Sequence, residues 1–299
     1  MRILNFGSLN IDHVYTVEHF VRPGETLSST AYHKFGGGKG ANQSIALASA
    51  GARVWHAGKI GTDGLWLKRT LEERGVDTTF VEVIEDPTGH AIIQVVPSGE
   101  NAIVLYGGAN RRITAEDARR VLSHFEPGDW LLVQNEITAV PDILREAARR
   151  NMLIAFNPAP MTREVLSYPL ELVDLFVVNE IEGEELTGTK EPRAMLEVMA
   201  ARYPRAGTVI TLGEKGAIYG RGGTLIAEPG VRVTVVDTTG AGDTFVGYFL
   251  AEVAAKENPA TALRIACRAA ALCVTRPGAS DSIPRRTEVE AFAAAETQK

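Results

Sequence analysis

Residues 235–247 read VVDTTGAGDTFVG: an apolar run, a glycine-rich turn, and then the helical pattern FVGYFLAEVAA. The order strand, turn, helix is what a phosphate site needs. Gly240 and Gly242 let the chain turn tightly and aim the unpaired amide hydrogens of the first helical turn at one point, where the helix dipole adds positive potential. Such a turn, with Gly240, Ala241 and Gly242 at its centre, holds an anion without any lysine. Asp243 lies in the same turn. The amides and dipole favour its charged form, so it stays ionised and accepts a hydroxyl proton as a phosphoryl group is transferred. A bare GxGD is as well explained by a turn and a helix cap. The full string DTTGAGDTFVG is far harder to obtain by chance.

Outward from this stretch, short β-branched runs alternate with amphipathic ones. RILNF, VWHAGKI, WLLVQ, LIAFN, LFVVN and TVITLG are separated by patterns such as GLWLKRTLEERG and AVPDILREAARRN. This is the βαβ rhythm of an α/β protein with a parallel sheet covered by helices, in which ligands collect beyond the strand ends. Two stretches break the rhythm, TVEHFVRPGETLSSTAYHKF and TGHAIIQVVPSGENAIVLYGGAN. Their alternating polarity and turns at Pro23-Gly24 and Ser98-Gly99-Glu100 predict antiparallel strands added to the core, as a lid or as an edge hairpin. No repeat or linker divides the chain, so one domain is expected over residues 1–299, with the added strands at about 13–34 and 88–108.

The 299 residues are 45% hydrophobic and 23% charged, enough to bury a sizeable core. A formal net charge of −6 offers no general attraction to nucleic acid or an anionic membrane. Neither partner is expected, and any anion must be held by backbone amides and a few local cations. No apolar run approaches the roughly 20 residues of a membrane span, and the expected location is the cytoplasm. Cys267 and Cys273 fall on one helical run and read as reduced core residues, since two cysteines without a histidine partner do not make a zinc site.

The second glycine-rich stretch, FGGGKGANQ over residues 35–43, is not a P-loop, because Gly40 rather than Ser or Thr follows Lys39. Its glycines, Gly38 among them, permit close backbone approach to a ligand, while Lys39 and Asn42 offer donors suited to a polyol. A tight helix-packing turn with an exposed lysine would explain the stretch in isolation equally well. Asn10 and Asp12 follow the first strand with one residue between them, so both face one side of an extended segment and suit vicinal hydroxyls. Gln134-Asn135-Glu136 ends another strand and supplies a further carboxylate, although a polar residue at one strand end is ordinarily a turn or cap.

NID after the first strand, GGGKGANQ, TG before a hairpin, GGAN, FNPAP, VNE, TLGEKG and DTTGAGDTFVG, in this order and spacing, resemble the ribokinase-like carbohydrate kinases of the PfkB family over nearly the whole chain. The resemblance implies a three-layer α/β/α fold with a mostly parallel central sheet and a small β-sheet lid. It implies ATP-dependent phosphorylation of the primary hydroxyl of a pentose, D-ribose before others, with Asp243 as base. Asn10, Asp12, Gly38, Lys39, Asn42 and Glu136 would hold the sugar, against an apolar wall of Ala91 and Ile93. Asn179 and the loop Thr211, Gly213, Glu214, Lys215 and Gly216 would meet the nucleotide, with Cys267 near the base and Gly242 at the phosphates. Mg²⁺ would accompany ATP near Asn179, Glu180 and Glu182. A K⁺ site is implied at Asp237, Thr239, Cys273, Arg276, Gly278 and Ser282, several through backbone carbonyls. A lid sheet that exposes one face predicts a homodimer paired through the lids. His90 departs from the family pattern, standing in the lid where an apolar residue is usual.

Other readings are a different PfkB sugar or nucleoside kinase, a catalytically silent sugar-binding relative and a Rossmann dehydrogenase. Retained Asp243 argues against silence. A dehydrogenase needs GxGxxG directly after the first strand, where this chain has GSLNID. A sugar-phosphate substrate would want a basic cluster, and Lys34, Lys39, Arg111 and Arg112 do not form a tight one.

Overall fold

Adjacent residues of each inner strand enter opposite cores. Ile3, Leu132, Ala155, Val177 and Val209 belong to one buried cluster, whereas Leu4, Leu131, Ile154, Phe176 and Ile210 belong to the other. A period of two with both faces apolar requires helices on both sides, and the computed structural model, which describes residues 1–256 and 258–297, has this arrangement.

In chain order, β1 (Arg2–Phe6), β2 (Asn10–Thr16) and β3 (Ala31–Gly37) precede α1 (Lys39–Ser49), β4 (Arg53–Gly61), α2 (Leu65–Glu73) and β5 (Asp77–Ile84). Next come β6 (Gly89–Val95), β7 (Asn101–Tyr106), α3 (Ala115–Leu122), β8 (Trp130–Gln134), α4 (Val140–Arg149) and β9 (Leu153–Asn157). The chain continues through β10 (Leu175–Asn179), α5 (Glu180–Thr187), α6 (Pro192–Arg202), β11 (Gly207–Thr211), β12 (Gly216–Arg221) and β13 (Thr224–Pro229). It ends in α7 (Ala241–Ala254), α8 (Pro259–Cys273) and α9 (Arg286–Thr297).

The main sheet is nine-stranded, in the order β13-β12-β11-β10-β9-β8-β1-β4-β5. It is parallel apart from the hairpin β12-β13 at one edge. From β1 the chain builds outward to β4 and β5, then returns to β8 on the other side of β1. That reversal opens a crevice beyond the carboxyl ends of β1 and β8. Helices α1 and α7 pack together beside it at very short range: a Cβ on Gly247 would lie 2.8 Å from the Leu47 amide nitrogen. This contact brings the start of α1 against the start of α7.

The second sheet has four strands, in the order β3-β2-β6-β7. Its first half, from Asn10 to Gly37, takes in slightly more of the chain than the expected 13–34, and its second half, from Gly89 to Tyr106, lies within the expected 88–108. Only β2·β3 and β6·β7 are antiparallel; β2 and β6 run parallel. Pro23-Gly24 is not a hairpin tip, because β2 and β3 are joined by a long loop over 17–30. The apolar run before DTTG is also not a strand. The chain leaves the sheet after Pro229, Val235 and Val236 are 58% and 60% exposed, and the Val236 and Asp237 amides both donate to the Val274 carbonyl at the end of α8. With no strand edge to pair against, its backbone is satisfied by a helix terminus instead. Strands β5, β12 and β13 were not signalled by the rhythm of apolar runs. Among the described residues no helix is long and apolar enough to cross a membrane.

Candidate active site

Three motifs distant in sequence are joined at the crevice. Ser8, leaving β1, donates from Oγ to Glu136 at 2.5 Å and accepts from the Gly40 amide at 3.1 Å. Glu136, just past β8, also accepts from the Lys39 amide at 2.9 Å. Only glycine at position 40 allows this, since a Cβ there would lie 2.5 Å from the Gly7 carbonyl carbon and collide with backbone. GSLNID, GGGKGANQ and QNE thus form one wall. Asn10 is fixed on it by Asn110, whose Nδ2 donates to Asn10 Oδ1 at 2.8 Å while its amide also pairs with both backbone groups of Leu9.

On β2, Asn10 and Asp12 share one face, as their spacing predicts. Ala91 stands opposite Asp12 in the register of β6 and Ile93 opposite Val14, so both lie on the same face as Asp12. His90 points to the other face. It is half-buried rather than fully exposed, and its ring packs on His13 and Tyr106.

Asp243 occupies the first turn of α7, behind the left-handed Gly240, and no side chain caps this helix. Its first-turn N–H groups are the donors that every helix start leaves for an anion. The carboxylate itself is held from α1: Asn42 Nδ2 donates to Oδ2 at 3.0 Å and Gln43 Nε2 to Oδ1 at 2.9 Å. A cavity of about 230 Å³ opens in front of it, lined by Lys39, Asn157, Asn179, Thr211, Gly240 and Asp243 among others. A wider hollow of about 450 Å³ near Pro127–Asp129 and Ala254–Lys256 lies at the amino ends of the strands and gathers no comparable set of groups.

Charge in the crevice is lopsided. Burial, followed by the nearby charge of Glu136, pushes the Asp12 carboxyl up to about 6. Burial also raises Glu136, against hydrogen bonds from Ser8 and the Lys39 amide and the charge of Lys39. Lys39 is held protonated chiefly by attraction to Asp243, and further by Glu136 and Glu182. One ammonium therefore faces three carboxylates, and Asp12 beside Glu136 adds a fourth to the crevice. This environment favours a neutral, hydroxyl-rich ligand beside Asp12 and Glu136 and admits phosphate only at the α7 turn.

At the other end of the cavity Asn179 caps α5 in a reciprocal box: its Oδ1 accepts from the Glu182 amide at 2.8 Å, and Glu182 Oε2 accepts from the Asn179 amide at 3.0 Å. Glu182 lines the cavity, and burial raises its pKa. Glu180 is exposed and outside the cavity lining. Gly213, Glu214 and Lys215 form a single helical turn between β11 and β12, with Gly216 following at φ 99; they too stand outside the lining. Cys267 is buried in the core beneath β13, its thiol pushed up to about 12 by burial and then by Glu228. Both cysteines are free, as the sequence predicted.

The residues implied for a monovalent cation gather behind Gly240. Asp237 accepts from the amide and hydroxyl of Thr239 and from the Gly278 amide. Cys273 Sγ is 3.0 Å from Ser282 Oγ, and Ser282 donates to the Ala279 carbonyl. The Arg276 guanidinium turns away to Glu288 at 2.7 Å, leaving only its backbone for this cluster.

An anion cradle at a helix start, a carboxylate in the same turn and a hydroxyl-rich wall opposite, all at the crevice of a parallel sheet, define a phosphotransferase with an alcohol acceptor. The chain belongs to the pfkB family of carbohydrate kinases, which it matches over residues 2–286. It is 38% identical over 296 residues to the ribokinase of Haemophilus influenzae, covering 96% of each chain. The ribokinase of Cryptococcus neoformans var. grubii serotype A, solved with ADP, superposes with a TM-score of 0.85 at 34% identity over 97% of this chain and 99% of that one. The Arabidopsis thaliana ribokinase, solved with ribose and ATP, does so at 0.83 and 28% over 97% of each.

Ser8, Gln43, Asn110, Asn157 and Thr238 also belong to the site, yet sequence reasoning gave them no role. All five lie inside the motifs GSLNID, GGGKGANQ, GGAN, FNPAP and DTTGAGD, so the signal was position within a motif rather than chemistry.

Proposed function

We propose that this chain transfers the γ-phosphoryl group of ATP to the 5-hydroxyl of D-ribose, giving D-ribose 5-phosphate, with Asp243 accepting the hydroxyl proton. The carrying observation is the placement of Asp243: one turn of α7 presents both the carboxylate and the amides beside it, and Asn42 ties that carboxylate to the wall that carries Lys39, Asp12 and Glu136. Relatives along the full chain, one of them solved with ribose and ATP, support the same reading.

Asn10, Asp12, Lys39, Asn42, Glu136 and the Gly38 backbone bind the sugar hydroxyls, with Ala91 and Ile93 against the ring. The Gly240–Gly242 amides stabilise charge on the transferring phosphoryl group. The four-stranded sheet closes over the sugar and excludes water, which would otherwise take the phosphoryl group. Asn179, Thr211 and the turn at Gly213–Gly216 border the nucleotide, and Cys267 lies behind its base. With four carboxylates and one lysine in the crevice, a sugar phosphate is a poor substrate.

Mg²⁺ bound with ATP would neutralise phosphate charge. Glu182 fits it, as a cavity-facing carboxylate whose hydrogen bonds come from Asn179 while the charge of Lys39 reaches it only through space; it and Asn179 would hold such an ion through its waters. Asp237 with the carbonyls of Thr239, Cys273, Arg276 and Gly278 and the Ser282 hydroxyl is an all-oxygen set with one formal charge, suited to K⁺. Its packing against Gly240 would order the anion-binding turn. The exposed apolar strand β7 pairs two lids in a homodimer. Two unpaired cysteines and dependence on ATP suit the cytoplasm.

ADP release measured over ribose, deoxyribose, fructose, tagatose, nucleosides and sugar phosphates, with K⁺ and again with Na⁺, tests the proposal. Ribose should give the highest kcat/KM and K⁺ the higher rate. No turnover of ribose overturns it.

A further inference from the structure

Behind Asp243 a hydrogen-bonded chain built on buried amides runs through six elements. Gln43 Nε2 donates to Asp243 Oδ1 at 2.9 Å and to Asn157 Oδ1 at 3.0 Å, and Gln43 Oε1 accepts from Gln134 Nε2 at 2.7 Å. Gln134 Nε2 also donates to Asn5 Oδ1 at 2.9 Å. Asn5 Nδ2 donates to the Gly40 carbonyl at 2.7 Å and to Ser44 Oγ at 2.9 Å, and Ser44 meets His56 Nδ1 at 2.8 Å. Asn5, Gln43, Gln134 and His56 are fully buried.

The direction of every amide in this chain is dictated by groups that only accept. The Gly40 carbonyl requires Asn5 to present its NH₂ there, which leaves Asn5 Oδ1 for Gln134. The Val177 carbonyl, 2.9 Å from Asn157 Nδ2, likewise turns Asn157 Oδ1 toward Gln43. Gln43 is thereby confined to one orientation, with both N–H bonds committed, one of them to Asp243. The other Asp243 oxygen is held by Asn42, which under the proposed function also serves the sugar. Gln43 is fully buried with all three of its hydrogen bonds made inside the protein, and is the contact to Asp243 that substrate cannot compete for.

The geometry points to Gln43 as a positioning residue for the base, oriented in turn by Gln134: it fixes the Asp243 carboxylate toward the α7 turn while Asn42 is engaged by the sugar. Neither glutamine touches substrate. The inference rests on the kinase reading above and extends it to residues that bind nothing. A group that orients the base acts on the chemical step and not on ground-state binding, so its removal separates kcat from KM.

The test is steady-state kinetics on Gln43→Leu, Gln134→Leu and the double variant, with the wild type and Asp243→Asn alongside. Gln43→Leu is expected to lower kcat about 30-fold or more while both KM values move less than about threefold. Gln134→Leu should lower kcat about tenfold alone, but less than about twofold when Leu already occupies position 43, because it acts through Gln43. A kcat for folded Gln43→Leu within about threefold of wild type, or losses that multiply in the double variant, would overturn the inference.

Gln43→Glu keeps the shape if the leucine variants do not fold. The introduced carboxyl group must carry a proton to donate to Asp243, so the kcat of this variant relative to wild type should rise as pH is lowered from about 8 to about 6. The charged or titratable groups around this position are Asp243 on α7, Lys39 on α1, Glu136 past β8, Glu182 on α5 and His56 on β4, and they are common to both proteins. A ratio independent of pH also overturns it. If wild type does not phosphorylate ribose, the proposed function fails; if Asp243→Asn keeps its rate, the base assignment fails. Failure of Gln43 alone touches only this inference.

Discussion

Asn42 and Asp243 stand 201 positions apart in the chain, and their side chains meet at 3.0 Å. The bond joins the first turn of α1 to the first turn of α7 and, in the proposed function, the sugar wall to the phosphate turn. Phosphoryl transfer needs acceptor oxygen, base and phosphate within one bond length of alignment, and this contact sets their separation.

Asp243→Asn keeps the shape of that contact and removes the proton acceptor. Turnover is expected to fall by about two or more orders of magnitude. Calorimetric titration should show ATP and ribose binding close to wild type. A variant with near-normal turnover would remove Asp243 as base.

Two glycines to alanine separate folding from chemistry. At Gly40 the new Cβ falls against the backbone of Gly7 and Ser8, so Gly40→Ala should cost about 1–3 kcal/mol in urea unfolding. At Gly242 nothing lies within 4 Å and the residue is already helical, so the fold should gain up to about 0.5–1 kcal/mol. The same methyl enters the cavity lining, and kcat should fall about tenfold or more. Equal effects at the two positions would contradict this division.

Asp12 makes stability depend on pH. Its carboxyl titrates near 6 in the fold against a usual 3.8, chiefly because it is buried. The folded state thus holds the proton over a range where the unfolded chain has lost it, and stability present below the unfolded pKa is lost as pH rises through about 6. Asp12→Asn escapes this loss. Its advantage over wild type in unfolding free energy should be small near pH 4 and reach on the order of 2 kcal/mol by about pH 7. A difference that is flat across that range would refute the assignment.

Every residue of β7 is exposed, with Ile103, Val104 and Leu105 at 51%, 67% and 65%. In the proposed homodimer this apolar edge strand is the surface that pairs. Leu105→Asp is expected to shift the sedimenting species from dimer to monomer while leaving the melting temperature of the main core nearly unchanged. A wild type that sediments as a monomer at micromolar concentration would remove the lid pairing.

Much was legible from local pattern. Unbroken apolar runs in RILNF, WLLVQ and LFVVN identified strands covered by helices, because successive side chains of a strand point to opposite faces and both must then be buried. DTTGAGD announced a turn, an uncapped helix start and a carboxylate in it, since glycine freedom and helix-start amides act within one turn of chain. Spacing alone placed Asn10 and Asp12 on one face.

Val235 and Val236 show where that logic stops. They have the composition of a strand, yet whether a strand forms depends on an edge to pair with, and the chain leaves the sheet at Pro229. Cys267 read as a core residue, but nothing in its own segment stated that the covering element would be β13. For the opening stretch, the sequence by itself determined the turn at Gly240 and the carboxylate in it, because both are settled by torsion angles and hydrogen bonds among near neighbours. Only the tertiary structure decided that Asn42 and Gln43 would hold that carboxylate, since the packing of α1 on α7 chooses which buried amides meet an acceptor, and nothing in either segment alone states its partner.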